Sequence, residues 1–153
     1  MYKREAASEL RQAFWTAFGQ QMAQILSAEG LPVNWINYRT RVKHVLFRTQ
    51  AEGNQAWVSI DIVHPDPGLR DLLFDQFEEF KILLHSTLGE EWIWDRSFAD
   101  ELGHFRAKIY TRRQGISVLD QQHWPVLMDF FRPRLVALDA FWADAYYTFQ
   151  DLQ

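Results

Sequence analysis

Residues 44–63 read His44-Val-Leu-Phe-Arg-Thr-Gln-Ala-Glu-Gly53-Asn-Gln-Ala-Trp57-Val-Ser-Ile-Asp-Ile-Val63. Val45 and Phe47 alternate with Leu46 and Arg48, and Val58, Ile60 and Ile62 alternate with Trp57, Ser59 and Asp61. Successive strand side chains point to opposite faces, so an apolar period of two predicts strands over 44–50 and 56–63. Between them Gly53 supplies a residue that tolerates positive φ, which makes this stretch a hairpin.

A second hairpin is predicted downstream, over 92–99 and 104–112, turning at Asp100 to Gly103. Phe105, Ala107 and Ile109 share one face of its last strand, and Arg106, Lys108 and Tyr110 share the other. Trp92, Trp94 and Phe98 are placed on one face of the third strand. Helical periods fill the rest. Ala6, Leu10, Phe14, Phe18, Met22 and Ile25 mark a helix over 4–28, ended by Gly30, Pro32 and Asn34. Asp66-Pro67-Gly68 starts a second helix running to Leu88, with Asp66 as N-cap and Gly89 as stop. From about Asp120 a third series, Trp124, Leu127, Met128, Phe131, Leu135, Leu138, Trp142 and Tyr146, keeps phase across Pro133. One long helix kinked at Pro133 fits that phase, because proline removes a backbone donor and bends the axis. The stretch 35–43 has no clean period and reads as a structured loop.

The expectation is therefore one α+β domain over residues 1–153, ordered helix–hairpin–helix–hairpin–helix. Its four-stranded antiparallel sheet would carry helices mainly on one face. The expected core comprises Phe14, Phe18, Val45, Phe47, Val58, Ile60, Ile62, Phe77, Phe80, Phe105, Ile109, Phe131, Leu135 and Trp142.

With 7 Trp, 12 Phe and 5 Tyr, that core is built on aromatic rings, and each Trp or Tyr needs a polar partner when buried. Cysteine is absent, which removes disulfides, thiolate catalysis and cysteine-held zinc. No apolar run approaches the ~20 residues of a membrane span, and the charged N-terminus lacks a signal-peptide stretch. A soluble, cytoplasmic protein without membrane contact is expected. The net charge of −4 argues against a dedicated nucleic-acid binder. The charge is unevenly distributed, though. Arg39, Arg41, Lys43 and Arg48 form one acid-free basic segment, and Arg106, Lys108, Arg112 and Arg113 form another. Between them, Asp66 to Glu101 is strongly acidic. These runs are either ordinary solvated faces or a basic face assembled from two segments.

No catalytic motif stands out. His44, His64, His85, His104 and His123 show no metalloprotease spacing, and His64-Pro65-Asp66 reads as a strand end followed by an N-cap. No phosphate loop or nucleophile elbow occurs. A restriction-type nuclease needs an acid on one strand and acid-x-Lys on the next. Asp61 could serve as the first, but Glu79-Phe80-Lys81 falls within the second helix. No metal or cofactor is called for, and a non-enzymatic module is expected.

Trp35-x-Asn37-Tyr38-x-Thr40-x-Val42-Lys43, His64-Pro65-Asp66, Leu88-Gly89-Glu90-x-Trp92, Trp124-Pro125 and Phe131-x-Pro133-Arg134 together resemble domain of unknown function 4268. This is a bacterial family with many free-standing members from Bacteroidetes. The resemblance covers almost the entire chain. In some longer proteins a related domain follows a restriction-endonuclease-like nuclease domain, so the resemblance implies a nucleic-acid or defence setting. It implies no site residues.

Two surfaces are candidates for binding. Strand alternation turns Leu46, Arg48, Trp57, Ser59, Asp61, Arg106, Lys108 and Tyr110 away from the core. Trp, Tyr and Arg are the types enriched at binding hot spots. This face is either covered by the last helix or open. If open, Trp57 and Tyr110, rimmed by Arg48, Arg106 and Lys108, would form a homodimer or protein-partner surface. The alternative is a basic and aromatic patch of Trp35, Tyr38, Arg39, Arg41 and Lys43, suited to single-stranded nucleic acid.

Overall fold

The computed structural model describes residues 3–152. In order, its elements are α1 (Arg4–Met22), β1 (Val45–Glu52), β2 (Gln55–Ile62), α2 (Pro67–Glu79), α3 (Lys81–Leu88), β3 (Ile93–Ala99), β4 (Phe105–Gln114), a 3-10 turn (Gln121–His123) and α4 (Trp124–Gln150). The four strands form one antiparallel sheet in the order β1-β2-β4-β3. The two hairpins thus lie side by side, with β2 and β4 in the middle. The mixed architecture, the four-stranded antiparallel sheet and the long C-terminal helix agree with the sequence reading.

Local chemistry sets the boundaries. Gly53 takes φ 57° in the tight β1–β2 turn. Asp66 Oδ1 accepts from the Gly68 and Leu69 amides at 2.8 and 3.1 Å, satisfying two of the free donors at the start of α2. Gly89, at φ 71°, closes α3 in the left-handed conformation. In the β3–β4 turn Asp100 Oδ1 accepts from the Leu102 and His104 amides, both at 2.9 Å.

Val45, Phe47, Val58, Ile60, Ile62, Ala107 and Ile109 are buried on one face of the sheet. Phe47 meets Trp142 of α4 edge-on at 5.3 Å, and Trp94 meets Phe74 of α2 at 5.7 Å. Behind this layer Phe14 and Phe18 of α1 pack on Phe131 at 6.2 and 5.7 Å.

Four details depart from expectation. The first helix stops at Met22 rather than Ala28. Its chain turns there because the Trp35 indole donates to the Ile25 carbonyl at 3.0 Å, which holds the following segment in a loop. The middle helix is two helices. It breaks at Phe80 (φ −97°, ψ 9°), whose ring turns to Phe141 and Phe149 at 6.1 and 6.0 Å and is only half-buried. Phe98 does not share a face with Trp94. An irregularity between Asp95 and Phe98 places one more residue on β3 than on β4, which reverses the phase and sends Phe98 to the opposite side. Finally, Phe105 is not core: it is 56% exposed. It is the first residue of β4, beside Pro65 and Pro67 at the sheet end, where the apolar cover has run out.

His85 links α3 to the second hairpin. Its Nε2 accepts from the Trp94 indole at 3.0 Å and from the Trp92 amide at 3.3 Å. That geometry requires the neutral ring. Burial lowers its pKa, Glu91 raises it and Lys81 lowers it, with a net downward shift. The unfolded chain therefore takes up the proton first as pH falls. The stabilisation is complete above the ordinary histidine value of about 6.5 and is lost progressively below it. Thermal unfolding of the wild type should accordingly fall between about pH 8 and about pH 5.5 by more than that of His85→Gln, whose amide oxygen accepts without titrating. Parallel pH curves for the two proteins would refute this role.

Candidate functional site on the outer sheet face

The face away from the helices carries Leu46, Arg48 and Gln50 of β1, Trp57, Ser59 and Asp61 of β2, Arg106, Lys108, Tyr110 and Arg112 of β4, and Phe98 of β3. Hence Arg48, Trp57, Arg106, Lys108 and Tyr110, predicted from three separate strands, do converge. Leu46 and Arg48 are exposed. The recess on this face, about 450 Å³, is lined by strand and turn residues only, Arg48, Trp57, Phe98, Leu102, Arg106 and Lys108 among them. Of the described residues, no helical one contributes to it.

The middle of an uncovered sheet would normally be wet. Here Ser59, Asp61 and Lys108 are 1%, 0% and 5% exposed. The cause is the strand order. Long side chains from flanking positions lie across the central strands and exclude water from the shorter ones beneath.

Asp61 is the electrostatic centre. Its Oδ2 accepts from Arg106 Nη1 at 3.0 Å and lies 3.8 Å from Arg48 Nη1. Arg106 also reaches Asp100 in the β3–β4 turn at 3.5 Å. Among the described residues, Asp61 Oδ1 and Ser59 Oγ are buried with no hydrogen-bond partner. Leaving such buried polar atoms without a partner is costly.

Lys108 pairs with Asp61 in strand register. Its ammonium sits among three rings, 4.7 Å from the centroid of Phe98, 4.9 Å from Trp57 and 5.9 Å from Tyr110. The rings contact one another, Trp57–Tyr110 at 5.0 Å and Phe98–Tyr110 at 6.1 Å. Arg112 lies 5.5 Å from the Trp57 ring. Loss of hydration is the largest influence on Lys108 and pushes its pKa down. Asp61 opposes this, while Arg106 and Arg48 add to it. Sequence alternation placed Arg48, Trp57, Arg106, Lys108 and Tyr110 on this face, as the strand register does. It missed Phe98, because a bulge leaves no apolar-period signal.

The alternative patch is arranged differently. Trp35 is buried, with its indole committed to Ile25. Tyr38 stacks on Phe47 at 5.3 Å and donates from its hydroxyl to buried Asp139 at 2.7 Å. Burial and that bond drive the Tyr38 pKa well above the usual phenol range. Asp139 also accepts from the Ala28 amide at 2.7 Å. Arg39, Arg41 and Lys43 are exposed on the same loop, but both rings face inward. Arg48 of the first basic segment meets Arg106 of the second around Asp61. The acids of α2 pair instead with Arg96, which lies 2.7 Å from both Asp75 and Glu78.

The segments quoted for their family resemblance hold one another in space. Glu90 receives a two-pronged bond from Arg134, at 2.7 and 3.1 Å, and the Trp92 indole at 2.8 Å. Thr40 Oγ1 donates to the Val45 carbonyl at 2.7 Å, and the Thr40 carbonyl accepts from the Trp142 indole at 2.8 Å. A family model described as Domain of unknown function (DUF4268) matches residues 10–146. The chain belongs to that family. No curated protein and no solved structure matches it. The family's segments named above thus have scaffold roles in this chain, and the cage of Trp57, Phe98, Lys108 and Tyr110 lies outside them.

Nuclease geometry does not assemble. Asp61 lies on the outer face, whereas Glu79 and Lys81 belong to helices on the other side, with Lys81 5.1 Å from the Trp94 ring. Among the described residues no group of three or more His, Asp or Glu is placed to hold a metal. No helix of those residues is long and apolar enough to cross a membrane.

Proposed function

We propose that this domain is a protein-interaction module that self-associates through the outer sheet face. The carrying observation is an uncovered face with Trp57, Phe98 and Tyr110 at its centre and buried polar atoms that lack partners. Charge favours a second copy as the occupant. Arg48 and Arg106 sit beside Glu52, Asp100 and Glu101 along the same recess. A two-fold interface sets the same patch against itself, so bases of one copy can meet acids of the other. Those acids would repel phosphate, which makes nucleic acid the second reading; it draws support from Arg112, Arg113 and the nuclease fusions of related domains. Both readings take the chain as a soluble, cytoplasmic, bacterial accessory domain without catalytic activity of its own. They also take the helices to lie mainly on one face, with α4 bent at Pro133.

Light scattering across a concentration series should give a dimer mass for the wild type and a monomer mass for Trp57→Ala with Tyr110→Ala. Circular dichroism reports whether the double variant stays folded. Arg112→Glu, at an exposed position, should weaken the dimer without touching the core. A wild type that stays monomeric overturns self-association. Affinity for single-stranded DNA that falls steeply with salt would instead favour the nucleic-acid reading.

A further inference from the structure

We propose that His44 and His64 form a pH-sensitive clasp that holds the first turn of α2 beside the start of β1, closed while both rings are neutral and released as they take up protons. This goes beyond the interaction reading and does not depend on it. The two residues lie at the same end of the first hairpin, His44 just before β1 and His64 shortly after β2. The His44 carbonyl accepts from the Val63 amide at 2.8 Å, and the two rings stand 4.3 Å apart between centroids. His44 holds this place at φ 70°, a left-handed conformation uncommon for a residue other than glycine. The central bond of the clasp needs a neutral ring. His64 Nδ1 accepts from the Asp66 amide at 3.0 Å, so its proton sits on Nε2. A proton added at Nδ1 turns that acceptor into a donor facing a second donor. Asp66 in turn closes the helix start: its Oδ1 accepts from the Gly68 and Leu69 amides, and its carbonyl accepts from the Arg70 amide at 2.9 Å. Arg70 Nη1 reaches back to the His64 carbonyl at 3.1 Å.

The groups around the pair do not favour its protonation. Lys43 adjoins His44 in the chain, and Arg70, His104 and Arg106 share a recess with His64 at the sheet end. The acids nearby have other partners. Asp66 caps the helix amides, Asp100 serves Arg106, the Leu102 and His104 amides and the His104 ring, and Asp61 serves Arg106 and Arg48. Burial is the largest influence on His44 and lowers its pKa, and His64 and Lys43 act in the same direction. A lowered folded value favours the closed form above the ordinary histidine value of about 6.5, and that advantage is lost as pH falls below it. Each ring that takes a proton only in the open form favours opening by about tenfold at about pH 5.5.

Amide hydrogen exchange of the full chain, followed by nuclear magnetic resonance and corrected for its intrinsic pH dependence, reads the clasp directly. Between about pH 7.5 and about pH 5.5, the wild-type amides of Asp66, Gly68, Leu69 and Arg70 should lose protection by about tenfold or more relative to amides within α4. His64→Asn, whose side-chain oxygen accepts from Asp66 without titrating, should keep their protection over the same range. His44→Gln leaves the His64 bond in place and removes one of the two protons, so the fall should be shallower. The His44 ring signal should also titrate at higher pH in His64→Asn than in the wild type. His85 and His104 are present in every one of these chains, so their own titrations cancel in the comparison. Wild-type protection that is equal at both pH values overturns the clasp, as does a fall in His64→Asn as deep as the wild type's. An unmoved His44 titration in that variant, or an undiminished fall in His44→Gln, overturns the pairing of the rings. Exchange is read residue by residue, so it stands apart from the mass measurement that tests self-association.

Discussion

Replacing Asp61 with alanine should destabilise the fold by about 3 kcal/mol, a large effect for a polar residue. Removing one partner of a buried ion pair costs about 3–5 kcal/mol because the other charge is left unmatched. The lower end applies here, since the Arg106 side chain retains 23% exposure and Arg48 retains 42%. The loss goes beyond one bond. Arg48, Arg106 and Lys108 would then face one another across the recess with no carboxylate beneath them. Asp61→Asn keeps the shape and an acceptor for Arg106 while removing the charge, so it isolates the electrostatic part. Urea unfolding of Asp61→Ala, Arg106→Ala and the double variant would measure the coupling. Non-additivity, with the double variant costing less than the sum, is expected. A change in Asp61→Ala within about 0.5 kcal/mol of zero, the range of ordinary surface substitutions, would refute Asp61 as the centre of this face.

Asp61 also shows what was legible before the structure and what was not. Period-two alternation placed it on the outer face opposite Ile60 and Ile62, and the pairing of β2 with β4 confirms that placement. Alternation specifies a face, not its wetness. Burial of Ser59, Asp61 and Lys108 depends on which strands are central, and nothing in a period-two pattern gives the order β1-β2-β4-β3. The same limit explains Phe98. A bulge inserts one residue without altering composition, so every later side chain changes face while the apolar pattern looks unbroken. Phe80 was misread for a related reason. Helical phase continues from α2 into α3, and the one-residue break is imposed by rings of α4 more than 60 positions away. Tertiary contacts overrode the local period at each of these places. By contrast, the caps at Asp66 and Gly89 are local chemistry and agree with the sequence reading.

The largest single loss is expected at Trp142, where the loop after α1, the sheet and the helices meet. Its ring contacts Phe47 of the sheet at 5.3 Å, Phe77 of α2 at 5.9 Å and Phe149 within α4 at 5.0 Å. Its indole donates to the Thr40 carbonyl at 2.8 Å, and that residue is itself buried. Trp142→Ala removes the ring, leaves a cavity among side chains anchored by three elements, and orphans the carbonyl. Truncation of a buried tryptophan costs about 3–5 kcal/mol, and the upper end applies because the cavity walls cannot collapse together. For a domain of this size, that lowers the unfolding midpoint by roughly 10–20 °C. Trp142→Phe separates the two contributions. It refills much of the ring volume but cannot donate, so it should retain the packing and lose only about 1–3 kcal/mol for the unsatisfied carbonyl. If calorimetry found the phenylalanine variant as unstable as the alanine variant, the hydrogen bond to Thr40, not ring packing, would be what ties the loop to α4. If both stayed within a few degrees of the wild type, Trp142 would not be the junction its contacts describe.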